Sequence, residues 1–228
     1  MAATSEFYSE LIERLKKSSL LGSCSAVLGW DEQVNLPQAG GEHRAEQLAL
    51  LAGMTHEQAI HPRIGELLSE LEAADDLGDE GSVAQINLKH ARRAYDRDTK
   101  LPQQLVEELS RVTTLSQQAW VEARKDSDYS AFEPWLTKAL NLKREEAEAI
   151  GYGDGQPYDA LLDDYEPGAT AASIQAAFNP LRDELVPLVA AIRESGRKPD
   201  TTIITRSYPV DAQRQLGIEA ATAIGFCF

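Results

Sequence analysis

Apolar residues recur at helical spacing along almost the whole chain. Near the start, Tyr8, Leu11, Ile12 and Leu15 lie three or four residues apart, the stripe of an amphipathic helix. Thr4 or Ser5 suits its N-cap, and the pattern continues through Leu20, Leu21 and Val27 to Trp30, until Pro37, Gly40 and Gly41 end it. Ala45, Leu48, Leu51 and Ala52 mark a second helix. His61 and Pro62 open a third, because proline suits the first helical position, and Ile64, Leu67, Leu68 and Leu71 form its stripe. The acidic stretch 72–81 reads as a surface loop. Ser82 then caps a helix to Ala94, Pro102 opens another to about Lys125, and a further one spans roughly 130–150. Gly151, Gly153 and Gly155 interrupt the pattern before a short helical piece from Pro157 to Tyr165. Thr170 begins a longer helix in which Pro180 and Pro187 predict kinks or a break. The one credible strand is 201–208, a β-branched run between Asp200 and Pro209. Helix returns over 210–224, with Gly225 placed to stop it. These elements predict an all-α, elongated multi-helix domain over 1–228, with at most one short strand or hairpin near 201–208.

Composition narrows the partners. The chain has 228 residues, 43% apolar and 26% charged, the balance of a soluble folded protein. Twenty-two Lys and Arg face 37 Asp and Glu, a net charge of −15. That excludes nucleic acid as a general partner and adsorption to anionic membranes, both of which need a basic footprint. No apolar stretch approaches the roughly 18–20 residues of a membrane span. The first eight residues have neither the basic start nor the apolar run of a signal peptide. Two cysteines, Cys24 and Cys227, make no disulfide framework, so a reducing, cytoplasmic setting is expected. Cys24 falls in an apolar helical stretch, which predicts a buried, inert thiol.

The candidate chemistry is sparse. His56 and His61 mimic a zinc-binding His-Glu-x-x-His motif with one residue too many. Five residues apart, two side chains diverge by about 140° around a helix, and Pro62 starts a new element beside the second histidine. His43 and His90 have no neighbours at ligand spacing, and read as surface or partly buried residues. Asp159 and Asp163 are four apart, on one face of a short helix, where paired carboxylates can share a proton or hold a hard cation. The plainer alternative has Leu161 and Leu162 packing inward and the acids facing water. Lys89, Arg92, Arg93 and Arg97 form a modest basic helix face, read as solvated or paired with the acidic segments, with an anion site as the alternative. No nucleophile elbow, phosphate cradle or metal cluster emerges from spacing.

Three ordered blocks add what spacing does not. The first runs from Leu28 through Trp30, Asp31 and Gln33, continues through Pro37, Gly40 and Gly41, and takes in Arg44 to Ala52 and then His56 and Glu57. The second is Tyr158 to Gly168, and the third is Tyr208 to Gly217, running on to Phe226. In order and spacing they resemble the N-terminal half of the carboxypeptidase Taq family of thermostable metallocarboxypeptidases. That resemblance implies a mostly helical fold, a homodimer, and a long groove for the C-terminal end of a peptide substrate. It also implies one divalent metal, zinc or cobalt, bound by a His-Glu-x-x-His pair and a later glutamate. The motif glutamate then activates water to release single C-terminal amino acids.

None of those residues is in this sequence, which ends where the family continues towards its metal-binding helix; Cys227 also stands where the family tends to have Asp. The expectation is therefore an N-terminal half without the catalytic, metal-binding half. No catalytic or metal residue is assigned to it, no metal is expected to bind it, and it is expected to be inactive alone. Trp30, Asp31, Tyr158, Asp163, Tyr165 and Glu166 are candidates for lining the substrate groove, from their density of aromatic and polar groups. The alternative is a non-enzymatic helical module that binds a peptide or partner.

Overall fold

Helix follows helix without a single strand among the described residues, which in this computed structural model are 2–74, 76–79 and 81–227. The order is α1 (Ala2–Val34), a 3-10 turn (Gln38–Gly40), α2 (Gly41–Ala59), α3 (Pro62–Glu72), α4 (Val83–Asp98), α5 (Gln103–Asp126), α6 (Tyr129–Ile150), α7 (Pro157–Leu162), α8 (Ala171–Glu194), α9 (Thr202–Thr205) and α10 (Val210–Ala223). The all-α expectation holds. The predicted Ser82 cap forms, as Ser82 Oγ accepts from the Gln85 amide, and α3 opens at Pro62 as expected, with His61 Nδ1 accepting from the Arg63 amide. Thr4 and Ser5 do not cap α1, which has already begun at Ala2.

Unit one of the fold runs to Ile174, and α2 organises it. Gly41, Ala45, Ala49 and Gly53 recur every four residues on α2, and all are buried. A stripe of small side chains lets neighbouring helices approach closely, and α2 packs against both α1 and α5. The fit is tight: a Cβ on Gly53 would collide with the Glu107 carboxylate, and one on Gly41 with the Gln118 amide.

Two apolar clusters flank this hub. In the first, Leu11 of α1 meets Ile64, Leu67, Leu68 and Leu71 of α3 and Leu88 and Ala91 of α4. Leu77 joins it from the acidic 72–81 stretch, so that predicted surface loop contributes a core residue. In the second, Leu105 and Val112 of α5 pack on Leu142 of α6, with Leu101, Leu109, Trp135 and Ala139 around them. Arg63 ties α3 to α1 by bonding both oxygens of Glu10. Hydrogen bonds from Arg63 and then Arg14 hold the Glu10 carboxyl down at about 2, from an ordinary 4.5.

Unit two begins at Gln175 and holds most of α8 with α9 and α10. None of its helices buries a residue. On α8, Phe178, Leu181, Leu185, Leu188 and Ile192 form a regular apolar stripe, yet every one is exposed. Pro180 and Pro187 lie inside α8, which runs through both without the predicted break. Each proline deprives one carbonyl, of Ala176 or Asp183, of its amide partner; both residues are exposed, so water can serve instead. The predicted strand at 201–208 is also corrected, because Thr202–Thr205 is a helical turn. Asp200 accepts from the Thr202 amide and Thr205 Oγ1 donates to the Thr201 carbonyl, local bonds that outcompete β-propensity where no strand partner exists. Gly225 does end α10, at φ 96°, with the Phe226 amide turned back to the Ala221 carbonyl.

Three substitutions check this packing. Ala49→Leu forces side chains apart at the hub and is expected to cost about 1–3 kcal/mol, and Leu67→Ala about 2–5 kcal/mol. Leu188→Ala is expected to stay within about 0.5 kcal/mol in urea unfolding. The Glu10 pair sets a pH dependence as well. Its folded value lies below the unfolded one, so its stabilisation is complete above about 4.5 and is lost as pH falls towards about 2. Melts of Glu10→Gln are therefore expected to lie below the parent at neutral pH and to converge with it across that window.

Candidate functional site

The six groove candidates fall into two neighbourhoods. Trp30 and Asp31 sit near the end of α1, beside α2. Trp30 is 61% exposed. Asp31 is committed: its Oδ2 lies 2.6 Å from Arg44 Nη2, and Asn35 donates to its other oxygen. The Arg44 guanidinium, and Asn35 after it, hold the Asp31 carboxyl below the usual range. Arg44 itself is buried, and donates to the Leu28 carbonyl and to Gln47 at 3.0 Å. It is the residue that sequence reasoning passed over. Its only signal was position, a charge on the small-residue side of an amphipathic helix.

Tyr158, Asp163, Tyr165 and Glu166 belong to α7 and the turns after it. This segment is held by α4. Arg93 pairs with the Asp163 carboxylate and donates to the Asp163 carbonyl at 3.0 Å. Arg97 donates to the Ala160 carbonyl at 3.1 Å and to Asp164 at 2.7 Å. Of the basic face read from sequence, Arg92 pairs with Glu72 at 2.8 Å, so its arginines meet the acidic segments rather than an external anion. Beneath Arg97 lies the buried Glu146, which Lys143 contacts at 2.6 Å. Tyr158, Tyr165 and Glu166 remain exposed, Tyr165 to 86%.

The carboxylates of Asp159 and Asp163 do not converge on a common point. Asp159 accepts from the Gln156 amide at 3.1 Å and the Ala171 amide at 2.7 Å, stitching the start of α7 to the start of α8. Asp163 accepts from the Gly168 amide at 2.9 Å, and that bond, ahead of Arg93, lowers its pKa against the opposing effect of burial. Gly168 needs its positive φ of 81° to present that amide. The two histidines of the near-motif also separate. His56 is buried in α2 with Nε2 3.0 Å from the Leu101 carbonyl, while His61 caps α3. His43 and His90 are exposed. Among the described residues no three His, Cys, Asp or Glu side chains are grouped to hold a metal ion. The residues present therefore do not fit the metal that the resemblance implies. The thiol expectation is corrected too: Cys24 is exposed, at the rim of a hollow it shares with Met54, Glu57 and Gln58 of α2.

Comparison with known proteins gives this scaffold its context. The family model described as carboxypeptidase Taq (M32) metallopeptidase matches residues 10–228. Thermostable carboxypeptidase 1 of Thermus thermophilus is 37% identical over 227 residues, covering 96% of this chain and 44% of that protein. Carboxypeptidase 1 of Bacillus subtilis is 31% identical, with 96% and 43% covered. Among solved structures, the BsuCP crystal structure superposes with a TM-score of 0.85 at 30% identity, over 98% of this chain and 44% of that one. The M32 carboxypeptidase from Deinococcus radiodurans R1 gives 0.75 at 31% identity, over 98% and 44%. The chain thus spans under half the length of the relatives it matches.

The α4–α7 clamp is open to test. Asp163→Ala removes an ion pair and a charged hydrogen bond, and is expected to cost about 1–3 kcal/mol at pH 7. Because the folded pKa of Asp163 is depressed, its stabilisation is present above the unfolded value of about 3.8 and fades as pH falls below it. The gap between variant and parent in thermal melts should narrow accordingly.

Proposed function

Because the chain belongs to the carboxypeptidase Taq (M32) family of metallopeptidases, we propose that it is the N-terminal scaffold of a carboxypeptidase that releases single C-terminal amino acids from peptides. The observation behind this reading is the apolar stripe on α8 from Phe178 to Ile192, together with exposed Ile203, Ile204, Val210, Leu216, Ile224 and Phe226. Surface of that kind is ordinarily covered by further protein. In this reading the cover is polypeptide equivalent to the part of the relatives beyond the match, and that part would hold the divalent metal, zinc or cobalt, which would supply Lewis-acid chemistry for hydrolysis.

The contribution of this chain is shape. Trp30, Tyr158, Tyr165 and Glu166 are the exposed candidates, free to touch a bound peptide. Asp31 and Asp163 act one step removed, since Arg44 and Arg93 already engage them and so fix the segments that bear the aromatic rings. No helix among the described residues is long and apolar enough to cross a membrane. Two exposed, free cysteines suit a reducing, cytoplasmic setting. A homodimer completes the reading.

The exposed α8 stripe also supports a second reading, a non-enzymatic module that binds a partner helix. Activity separates the two. The chain alone is expected to leave a blocked dipeptide intact with or without added Zn²⁺ or Co²⁺. Fused to the portion of the Thermus thermophilus relative that follows the matched segment, it is expected to hydrolyse the dipeptide in a metal-dependent way. Hydrolysis by the unfused chain overturns the scaffold reading; a folded, metal-loaded fusion without activity favours the binding module.

A further inference from the structure

The turn between α5 and α6 builds a hollow that uses none of the groove candidates. Trp120, Ala123 and Arg124 share one side of α5 with Ser127, at helical spacing, and Tyr129 and Phe132 follow at the start of α6. Ser127 brings the two sets together. Its φ of 55° is the one positive value of a non-glycine residue among the described residues, a conformation that a Cβ makes costly. It closes α5 with reversed bonds, its own amide donating to the Arg124 carbonyl and the Asp128 amide to the Ala123 carbonyl. Asp128 is thereby held against the last turn of α5. These residues border a hollow of about 450 Å³, within the roughly 300–1,000 Å³ of small-molecule sites.

Charge in this hollow is left over. Arg124 is exposed and has no ion pair or side-chain hydrogen bond among the described residues, whereas its neighbour Lys125 pairs with Glu122 at 3.6 Å. Asp128 caps α6, accepting from the Ser130 amide at 3.0 Å and from the Ser130 hydroxyl, and no cation among the described residues pairs with it. The Ser130 hydroxyl, and backbone amides after it, hold the Asp128 carboxyl below its usual range, so it is ionised at neutral pH. Arg124 and Asp128 both border the hollow, yet they do not pair with each other. With them stand the rings of Trp120, Tyr129 and Phe132 and the buried Ala123, and Trp120 and Tyr129 are exposed.

A cation and an anion that do not meet, beside aromatic rings, complement a small molecule with the opposite pair on one carbon and an apolar body. We propose that this hollow binds a free α-amino acid with an apolar or aromatic side chain. Arg124 takes the α-carboxylate, whose two oxygens match the guanidinium fork. Asp128 takes the α-ammonium, to which the aromatic faces add cation–π attraction. The ligand's side chain lies on Trp120 and Phe132, against Ala123. A residue inside a peptide carries neither of these charges and a terminal residue only one, so the free amino acid alone uses both. Such a ligand is neutral overall, so a net charge of −15 on the chain does not oppose its approach. A free amino acid is also what the proposed reaction releases, but the hollow stands on its own residues and its test makes no use of that reaction.

The full chain is titrated with L-phenylalanine by calorimetry, and binding is followed in parallel by saturation-transfer NMR. Saturable one-to-one binding is expected. Phenylalanine amide lacks the carboxylate and N-acetyl-phenylalanine lacks the ammonium, and each is expected to bind about tenfold or more weakly. Arg124→Gln and Asp128→Asn are expected to weaken L-phenylalanine to a similar extent. Their melts should match the parent, because Arg124 is exposed and asparagine caps a helix as well as aspartate does. Each variant should also lose one discrimination: Arg124→Gln binds the amide and the free acid alike, and Asp128→Asn binds the N-acetyl form and the free amine alike. A merely structural role for either residue would not produce that pattern. Absence of binding by both methods, equal binding of either blocked form to the parent, or full affinity in either variant overturns the proposal.

Discussion

Close approach of helices at α2 is the constraint from which the rest of unit one follows. Gly41, Ala45, Ala49 and Gly53 form a buried stripe of minimal side-chain bulk, so α1 and α5 can both lie close against that helix. Little free energy comes from burying alanine and glycine themselves. What the stripe provides is proximity, which lets larger groups elsewhere make their contacts. With α1 in place, Leu11 reaches the leucines of α3; with α5 in place, Val112 and Leu105 reach Leu142 of α6. Two polar groups share the buried side of α2. Arg44 satisfies the Leu28 carbonyl and Asp31, and His56 meets the Leu101 carbonyl, so each links α2 to a neighbouring segment by bonds that demand direction.

Position at the candidate site follows from a second layer of directed contacts. The short α7 is too brief to be a stable helix alone. It is held from outside by Arg93 and Arg97, and from within by Asp159 and Asp163, whose carboxylates fasten its two ends to backbone amides. Carboxylates engaged in this way are poor candidates for chemistry but effective at fixing a turn. That division explains why a stretch so dense in acids presents mainly tyrosines and Glu166 to solvent.

Much of the helical layout was legible from single residues. Pro62 after His61, Ser82 before Val83 and Gly225 after α10 each act through a local mechanism, and each was found where expected. Expectations failed where the deciding partner lay far along the chain or was missing. A β-branched run at 201–208 has strand propensity, but a strand needs another strand, and none exists among the described residues; Asp200 and Thr201 close a helical turn instead. Cys24 has apolar neighbours in sequence, yet on α1 it lies exposed at the rim of a hollow beside α2. Leu77 sits among acids and glycines, and only the path of the chain past α3 and α4 buries it. At the candidate site, the sequence indicated which residues were dense in function-bearing groups. It could not indicate that Asp31 and Asp163 were already engaged, because Arg44 and Arg93 are 13 and 70 residues away from them.

By itself, then, the sequence determined the all-α character, most helix boundaries and, through three ordered blocks, the family. Each of these depends on periodicity, caps or local word order, which are properties of neighbours along the chain. The tertiary structure alone decided which charges are spent on structure and which faces remain open. That Arg92, Arg93 and Arg97 are spent on pairing is decided only where α4 meets Glu72 and α7, and that the α8 leucines stay exposed is decided only by the absence of a covering partner among the described residues. Burial and ion pairing are relations between distant residues, so only the folded chain fixes them.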